Sequence, residues 1–437
     1  MASGTRAPER APTSRGPYRN GVQTRQQILE ASSTLFARRG YAGASLREIA
    51  REVGVTPGAL NRHFNDKEQL LIAVLDQWQE STRVAVDDAG VGDGLGFFLG
   101  LVPLMRYHVG HPGLIELFLT ICAEASTSEH PAHDWARQRY ELIVAQASEH
   151  LRLAAERGEA DAMPPRRREA EVRRLFALMD GLELQWIVRP DLDLVGLFAA
   201  ALTLVLRGWG VDIAMQPPPP ASRPLPMPPI SSDLDVELKR GPYRSGVERR
   251  RRILDEATTA FATHGYVGAS LREIAGNVGV TGAAILRHFG SKEGLLLAVL
   301  DRWDDANRAI PSSGRDSAVE AWESLLLAMA RHVESPGFIE LFLTICTEAS
   351  DPGHPARYWV TTRYDTLMAQ TDKQLSAAAE EGRIRDLSPA EREFEARCLY
   401  AVMDGLELQW IADRRLDLVG LFDSHYEAVI ARLRTDP

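Results

Sequence analysis

SLREIAREVGV at Ser45–Val55 and SLREIAGNVGV at Ser270–Val280 agree at nine of eleven positions, and their reading decides the fold. In the first, Leu46, Ile49, Ala50 and Val53 fall at i, i+3, i+4 and i+7, one apolar stripe of a short helix. Gly54 follows as a helix stop, and Thr56 is a natural N-cap for the next helix. The spacing therefore predicts a short helix over Ser45–Val53, a tight turn at Gly54–Val55 and a second helix over Thr56–Phe64. Upstream, Val22–Arg39 supplies Ile28, Leu35 and Phe36 to cover the pair and ends in "RRG", cations and a glycine at a helix C-terminus. Three helices in this order, the last offered outward, make a helix-turn-helix unit.

The same self-likeness extends along the chain. GPYRN (Gly16–Asn20) returns as GPYRS (Gly241–Ser245), and RHF at Arg62–Phe64 returns at Arg287–Phe289. ELFLTIC (Glu116–Cys122) returns at Glu340–Cys346, and MDGLELQW (Met179–Trp186) at Met403–Trp410. The chain is a tandem duplication of one domain-sized unit, too large and too few for a solenoid. Between the copies stand Pro217–Pro220, Pro224, Pro226, Pro228 and Pro229. Such a run cannot be helical and reads as an extended spacer, reaching about 60 Å at about 3.1 Å per residue. A ligand for a polyproline-binding module is the alternative. The expected organisation is a basic disordered arm over 1–18, a reading head over 19–80 and a helical regulatory domain over 81–214. A Pro-rich linker over 215–238, a second head over 239–303 and a second regulatory domain over 304–437 complete it.

Composition agrees with an all-α chain. Of 437 residues, 45% are apolar and 25% charged, an ordinary globular balance in which Ala, Leu, Arg and Glu dominate. No run of 18 apolar residues is present, which excludes a helical membrane span. Arg6, Arg10 and Arg15 are followed by no apolar stretch, unlike a secretory leader, and three cysteines make no disulfide framework. A cytoplasmic location is the expectation. The formal net charge of −10 divides unevenly: residues 1–80 carry +3, residues 238–302 carry +5 and the remainder carries −18. Two basic islands in an acidic body suit a localised polyanion contact, and equally a solvated basic face.

Thr24–Leu71 and Glu248–Leu296 resemble the DNA-binding domain of the TetR family of bacterial transcriptional repressors. The likeness covers helix 1, the "GY" turn, both short helices, the "HF" step and the lysine opening the next helix. MDGLELQW with DLDLVGLF after it resembles the two C-terminal helices of the family's four-helix dimer interface. This chain is similar to the tandem members that carry both halves in one polypeptide, so the resemblance implies an intramolecular pseudo-dimer. In it Arg174–Trp186 and Leu192–Trp209 would pack on Glu395–Trp410 and Asp417–Leu433. The resemblance further implies repression of an operator and release by a small lipophilic inducer, with no cofactor, metal or catalytic residue.

Matched position by position, the DNA-facing residues of copy one are Ser45, Arg47, Thr56, Pro57, Gly58, Ala59, Asn61, Arg62 and His63, with Lys67 as a phosphate contact. Their counterparts are Ser270, Arg272, Thr281, Gly282, Ala283, Ala284, Leu286, Arg287, His288 and Lys292. A guanidinium grips guanine O6 and N7, and an amide such as Asn61 reads adenine N6 and N7. Where the family usually has tyrosine, this chain has Asn61 and Leu286. TPGALNRHF and TGAAILRHF agree at only five of nine positions, so the operator partner is expected to have unlike half-sites. His63 and His288 serve equally as packing groups.

Other constellations carry less. His108/His111 and His130/His133 have ligand-like spacing, yet copy two has Ser335 and Arg357 at the partner positions, so solvated or capping histidines are expected. Cys122 and Cys346 read as core residues. An inducer pocket would draw on Phe98, Leu101, Met105, Phe118, Trp135 and Tyr140 in copy one. In copy two it would draw on Trp322, Leu325, Met329, Phe342, Trp359 and Tyr364; plain bundle core competes for all of them. Rival functions are an enzyme with a DNA-targeting head and a protein-interaction scaffold. No local nucleophile motif supports the first.

Overall fold

The computed structural model describes residues 17–88, 92–111, 113–222, 244–308 and 318–434. The expected arm lies outside these residues except at Pro17 and Tyr18, as does the linker beyond Ser222. The first copy comprises α1 (Pro17–Gly43), α2 (Leu46–Val53), α3 (Pro57–Leu60), α4 (Lys67–Asp88), α5 (Leu95–Leu99), α6 (Leu101–Gly110), α7 (Leu114–Glu124), α8 (His133–Glu156), α9 (Pro165–Val188) and α10 (Leu194–Gly208). The second comprises α11 (Arg244–Gly268), α12 (Leu271–Val278), α13 (Gly282–Phe289), α14 (Lys292–Arg308), α15 (Ala318–Glu334), α16 (Gly337–Glu348), α17 (Arg357–Glu380), α18 (Pro389–Ala412) and α19 (Leu418–Leu433). The chain is all-α, two TetR-like units in tandem.

Each head forms as its local chemistry dictates. Ser45 Oγ accepts the Glu48 N–H at 3.3 Å and starts α2. Gly54 at φ +74° ends it, a conformation that costs a residue with a Cβ. Ile28, Phe36, Ile49, Leu60 and Phe64 close a small buried core. One expectation changes here. Regular helix in α3 covers only Pro57–Leu60, and the segment continues through Arg62 and His63 in tighter i→i+3 turns, with Arg62 N–H on Ala59 O at 3.3 Å. In copy two the helix runs on to Phe289, where Gly290 at φ +75° terminates it; Asn65 stands at that place in copy one.

The expected head boundaries at residues 80 and 303 fall inside α4 and α14. Head and body therefore share one continuous rod in each copy. Between the copies, α9 packs along α18, α7 against α16, and α1 touches α11. Gln185 Nε2 donates to Arg397 O at 3.0 Å, and Gln409 Nε2 donates to Arg173 O at 2.9 Å, one bond in each direction. The four expected interface helices contribute unequally. α10 lies chiefly on α6 and α9 of its own copy, and α19 on α15 and α18. The described start of the linker, Ser222, hydrogen-bonds Glu393 and Arg397 of the second copy.

Candidate nucleic-acid interface and regulatory chamber

The residues matched to DNA reading gather on one outward face of each head. Arg47, Thr56, Pro57, Gly58, Asn61 and Arg62 are exposed, while Ala59 and His63 are half-buried. Arg272, Thr281, Ala283, Leu286, Arg287 and His288 are exposed in the second head, with Gly282 and Ala284 half-buried. Ser45, Thr56, Ser270 and Thr281 spend their hydroxyl oxygens as helix N-caps. Nothing stands within 4 Å of where a Cβ would project at Gly58 or Gly282, so the helix backbone is open to close approach. Arg47, Arg62, Arg272 and Arg287 have no ion-pair partner among the described residues, leaving their charge available to a polyanion. Arg25 lies over the Phe64 ring at 5.0 Å and Arg250 over Phe289 at 4.8 Å, pinning the reading segment to the first helix of its head. Partial burial and the nearby Arg287, Arg249 and Arg250 hold the His288 imidazole below its usual range.

Lys67 and Lys292, expected as phosphate contacts, are each also bonded within their own head. Lys67 Nζ donates to Tyr41 O at 2.7 Å and to Ala44 O at 3.0 Å, and sits 4.1 Å over the Tyr41 ring. Lys292 Nζ donates to Val267 O at 3.2 Å and lies 4.9 Å over Tyr266. The ammonium caps carbonyls at the end of helix 1, which have no further turn to bond to. Burial lowers the Lys67 ammonium below its ordinary range, against the pull of Glu124.

Glu124 and Glu348 join body to head. Glu124 Oε2 accepts the Tyr41 N–H at 2.6 Å, and Glu348 Oε2 accepts the Tyr266 N–H at 2.7 Å. Beside them Gly40 (φ +67°) and Gly265 (φ +65°) turn the backbone, and a Cβ on either would overlap the carboxylate. Burial raises the Glu124 carboxyl to about 8, reinforced by Glu348 across the copy boundary. The "GY" turn of each head is thus a socket for a carboxyl group from the body.

A cavity of about 90 Å³ opens in the first body, beneath α4. Leu101, Phe118 and Tyr140 line it as expected. Phe98, Met105 and Trp135 do not: the first two are fully buried in the core, Phe98 edge-on to Trp209 at 5.0 Å, and Trp135 stands behind Trp78, edge-on to it at 6.1 Å. Sequence reasoning missed Trp78, His108, Arg139, Asp180 and Glu183, all of which face the cavity. His108 Nδ1 pairs with Glu183 at 3.0 Å, so this histidine is neither solvated nor a cap. By contrast, His111 and His133 bond main-chain carbonyls, and His130 Nδ1 accepts the Ala132 N–H. Tyr140 Oη donates to Asp180 at 2.9 Å, and burial, with Glu183 nearby, pushes the Asp180 carboxyl far up from its ordinary range. The chamber is mainly apolar with a few polar anchors, His108, Arg139, Asp180 and Glu183. The recurring acids of MDGLELQW, three residues apart in the mainly apolar second half of the helix, were the available signal.

Copy two repeats the arrangement. His332 pairs with Glu407 at 2.8 Å, Tyr364 with Asp404 at 2.7 Å, and Phe342 stacks on Trp303 at 5.4 Å. Met329 is fully buried, Leu325 is half-buried, and the Trp322 side chain lies outside the described residues. Cys122, Cys346 and Cys398 are free and buried, and burial raises all three thiols.

Two outward helix-turn-helix faces, each rooted by a long helix in an α-helical body, define a DNA-binding transcription regulator. A model described as bacterial regulatory proteins, tetR family, matches residues 28–74 and again 253–299. The transcriptional regulator TtgR of Pseudomonas putida is 30% identical over 192 residues, which cover 40% of this chain and 85% of that protein. The transcriptional repressor AcnR of Corynebacterium efficiens is 32% identical over 162 residues, 36% of this chain and 80% of that one. A solved TetR-family regulator from Rhodococcus sp. aligns at 25% identity with a TM-score of 0.34, covering 43% of this chain and all of that one. The chain belongs to the TetR family of regulators and carries its DNA-binding domain twice.

Proposed function

We propose that the chain is a transcriptional repressor that works as a pseudo-dimer within one polypeptide and reads two unlike half-sites. The observation that carries this reading is the packing of α9 on α18, which holds two non-identical heads in one body. A symmetric dimer of identical heads is matched to a palindrome; two fused heads are free of that constraint. Arg47, Arg62 and Asn61 supply charge and base-edge hydrogen bonds in head one, and Arg272, Arg287 and Leu286 occupy the same places in head two. The linker supports assembly in cis, since tethering raises the effective concentration of the partner to roughly millimolar.

Release follows from the position of the chamber. Trp78 and Thr82 of α4 line it, and the same helix begins at Lys67 in the head. An effector seated there acts on DNA affinity to the extent that it favours one head spacing over another. The His108–Glu183 pair and Arg139 favour an effector with a polar group on an apolar frame. Footprinting on the promoter DNA next to the gene tests the reading, with light scattering of the free protein alongside. One 48.3 kDa chain per asymmetric site is the expected result. A palindromic footprint bound by two chains would overturn it.

A further inference from the structure

The two chambers differ at one position that bears on ligand chemistry. In copy two Asp304 of α14 bridges two side chains of α17: its Oδ2 accepts Trp359 Nε1–H at 3.0 Å and its Oδ1 accepts an Arg363 N–H at 3.0 Å. Thus held, Arg363 lies 3.9 Å over the Trp303 ring. In copy one the corresponding tryptophan and arginine are Trp135 and Arg139, and the aromatic frame is kept, Trp135 standing edge-on to Trp78 at 6.1 Å. The acid is not kept: Gln79, exposed to solvent, occupies its place on α4. Trp135 Nε1 is buried with no hydrogen-bond partner among the described residues, unlike Trp359 Nε1, while the Nε of Arg139 and of Arg363 is buried and unpartnered in both copies. Arg139 makes no hydrogen bond or ion pair among the described residues and sits 5.7 Å from the Trp78 ring centre.

We propose that copy one alone is the effector receptor, and that its ligand is a small amphiphilic carboxylate. Its carboxylate takes the place that Asp304 fills in copy two, bridging Trp135 Nε1 and the Arg139 guanidinium, while its apolar end enters the cavity between Trp78, Phe118 and Tyr140. Copy two carries its own carboxylate, Asp304, on Trp359 Nε1 and the Arg363 guanidinium.

The chemistry favours an anion over other classes. A half-buried arginine whose Nε has no partner is costly, and a planar carboxylate answers a guanidinium with two parallel hydrogen bonds. Asp180 attracts the Arg139 guanidinium through space, but it makes no ion pair with it among the described residues and is engaged by Tyr140. Burial also raises the Asp180 carboxyl above its ordinary range, which favours its neutral form. Glu183 is already paired with His108. At about 90 Å³ the cavity is smaller than the roughly 150 Å³ that takes one benzene, so it has room for a short alkyl chain and not for a ring or a bulky polycycle.

This inference rests on the effector reading of the chamber, and the two are separable by experiment. Calorimetric titration of the full chain with pentanoate is expected to give one site per chain. Binding of the uncharged pentan-1-ol should be at least tenfold weaker, and acetate should be weaker too. Gln79→Asp, which installs the carboxylate of copy two, should abolish the site. Asp304→Asn should raise the stoichiometry to two, with thermal melting used to verify that both variants are folded. Two sites in the wild type, no site at all, equal binding of acid and alcohol, or unchanged binding by Gln79→Asp each overturn the proposal. Operator binding without ligand is measured separately. A one-to-one carboxylate complex that leaves DNA affinity unchanged would keep the site and remove only its role as inducer.

Discussion

Gly181 of α9 lies directly on the main-chain carbonyl of Ala401 in α18, and Gly405 of α18 lies in the same way on Ala177 of α9. A Cβ at either glycine would overlap the opposing oxygen, so the helices cross backbone to backbone. This explains the glycine in both copies of MDGLELQW. With Gln185 and Gln409 bonding across a few residues away, one short motif both permits and fastens the crossing.

Gly181→Ala should therefore push α9 and α18 apart. Overpacking of this kind costs about 1–3 kcal/mol, and thermal unfolding of the full chain should report it. Gly208→Ala is the matched control, because nothing stands within 4 Å of its Cβ position. There the change should be neutral or slightly stabilising. Equal behaviour of the two variants would disprove the close crossing.

The heads differ at Asn61 and Leu286, both exposed. Asn61→Leu should relax base preference in one half-site only, at a cost of about 1–3 kcal/mol there. Selection of binding sequences from a random pool, run on wild type and variant, measures it. Loss of preference in both half-sites at once would contradict independent reading.

Lys67→Ala separates a structural lysine from a phosphate contact. Losing a direct phosphate contact lowers the salt slope by about 1. Since the ammonium is tied to the Tyr41 and Ala44 carbonyls, the variant should instead melt earlier and bind all DNA more weakly, with the slope unchanged. A slope reduced by one, with melting unaffected, would restore the phosphate role.

Glu124 gives a pH signature. Its carboxyl is held near 8 in the folded chain by burial, against an ordinary value of 4.5. Between those values the folded chain binds a proton that the unfolded chain has released, so this group's stability contribution is full below 4.5 and is lost as pH rises to about 8. Glu124→Gln keeps a carbonyl for the Tyr41 N–H and cannot ionise. Measured by denaturant unfolding, its stability relative to wild type should rise from pH 5 to 8 and level off above. The buried His130, held down near 4 by burial, titrates below most of that window. A constant difference across the range would show that Glu124 is charged in the fold.

The all-α class, the tandem copies and both helix-turn-helix units were legible in the residues because they rest on local patterns. A 3.6-residue apolar period, a capping Thr56 or Thr281 and a stop at Gly54 or Gly279 act within one or two turns of chain. The divergence of the two reading segments was equally visible, since it needs only comparison of one copy with the other. What the tertiary structure decided lies in contacts between residues far apart in sequence. That Lys67 caps helix 1, that Gly40 receives Glu124, and that Phe98 is core while Trp78 faces the chamber depend on where α4, α7 and α8 meet. Sequence could show Gln79 and Asp304 as an ordinary surface difference. Only the packing of α14 on α17 revealed that Asp304 reaches Trp359 and Arg363, and hence that copy one lacks a charge. Local periodicity fixes which face of a helix is buried; the neighbour that meets that face is set by the whole chain.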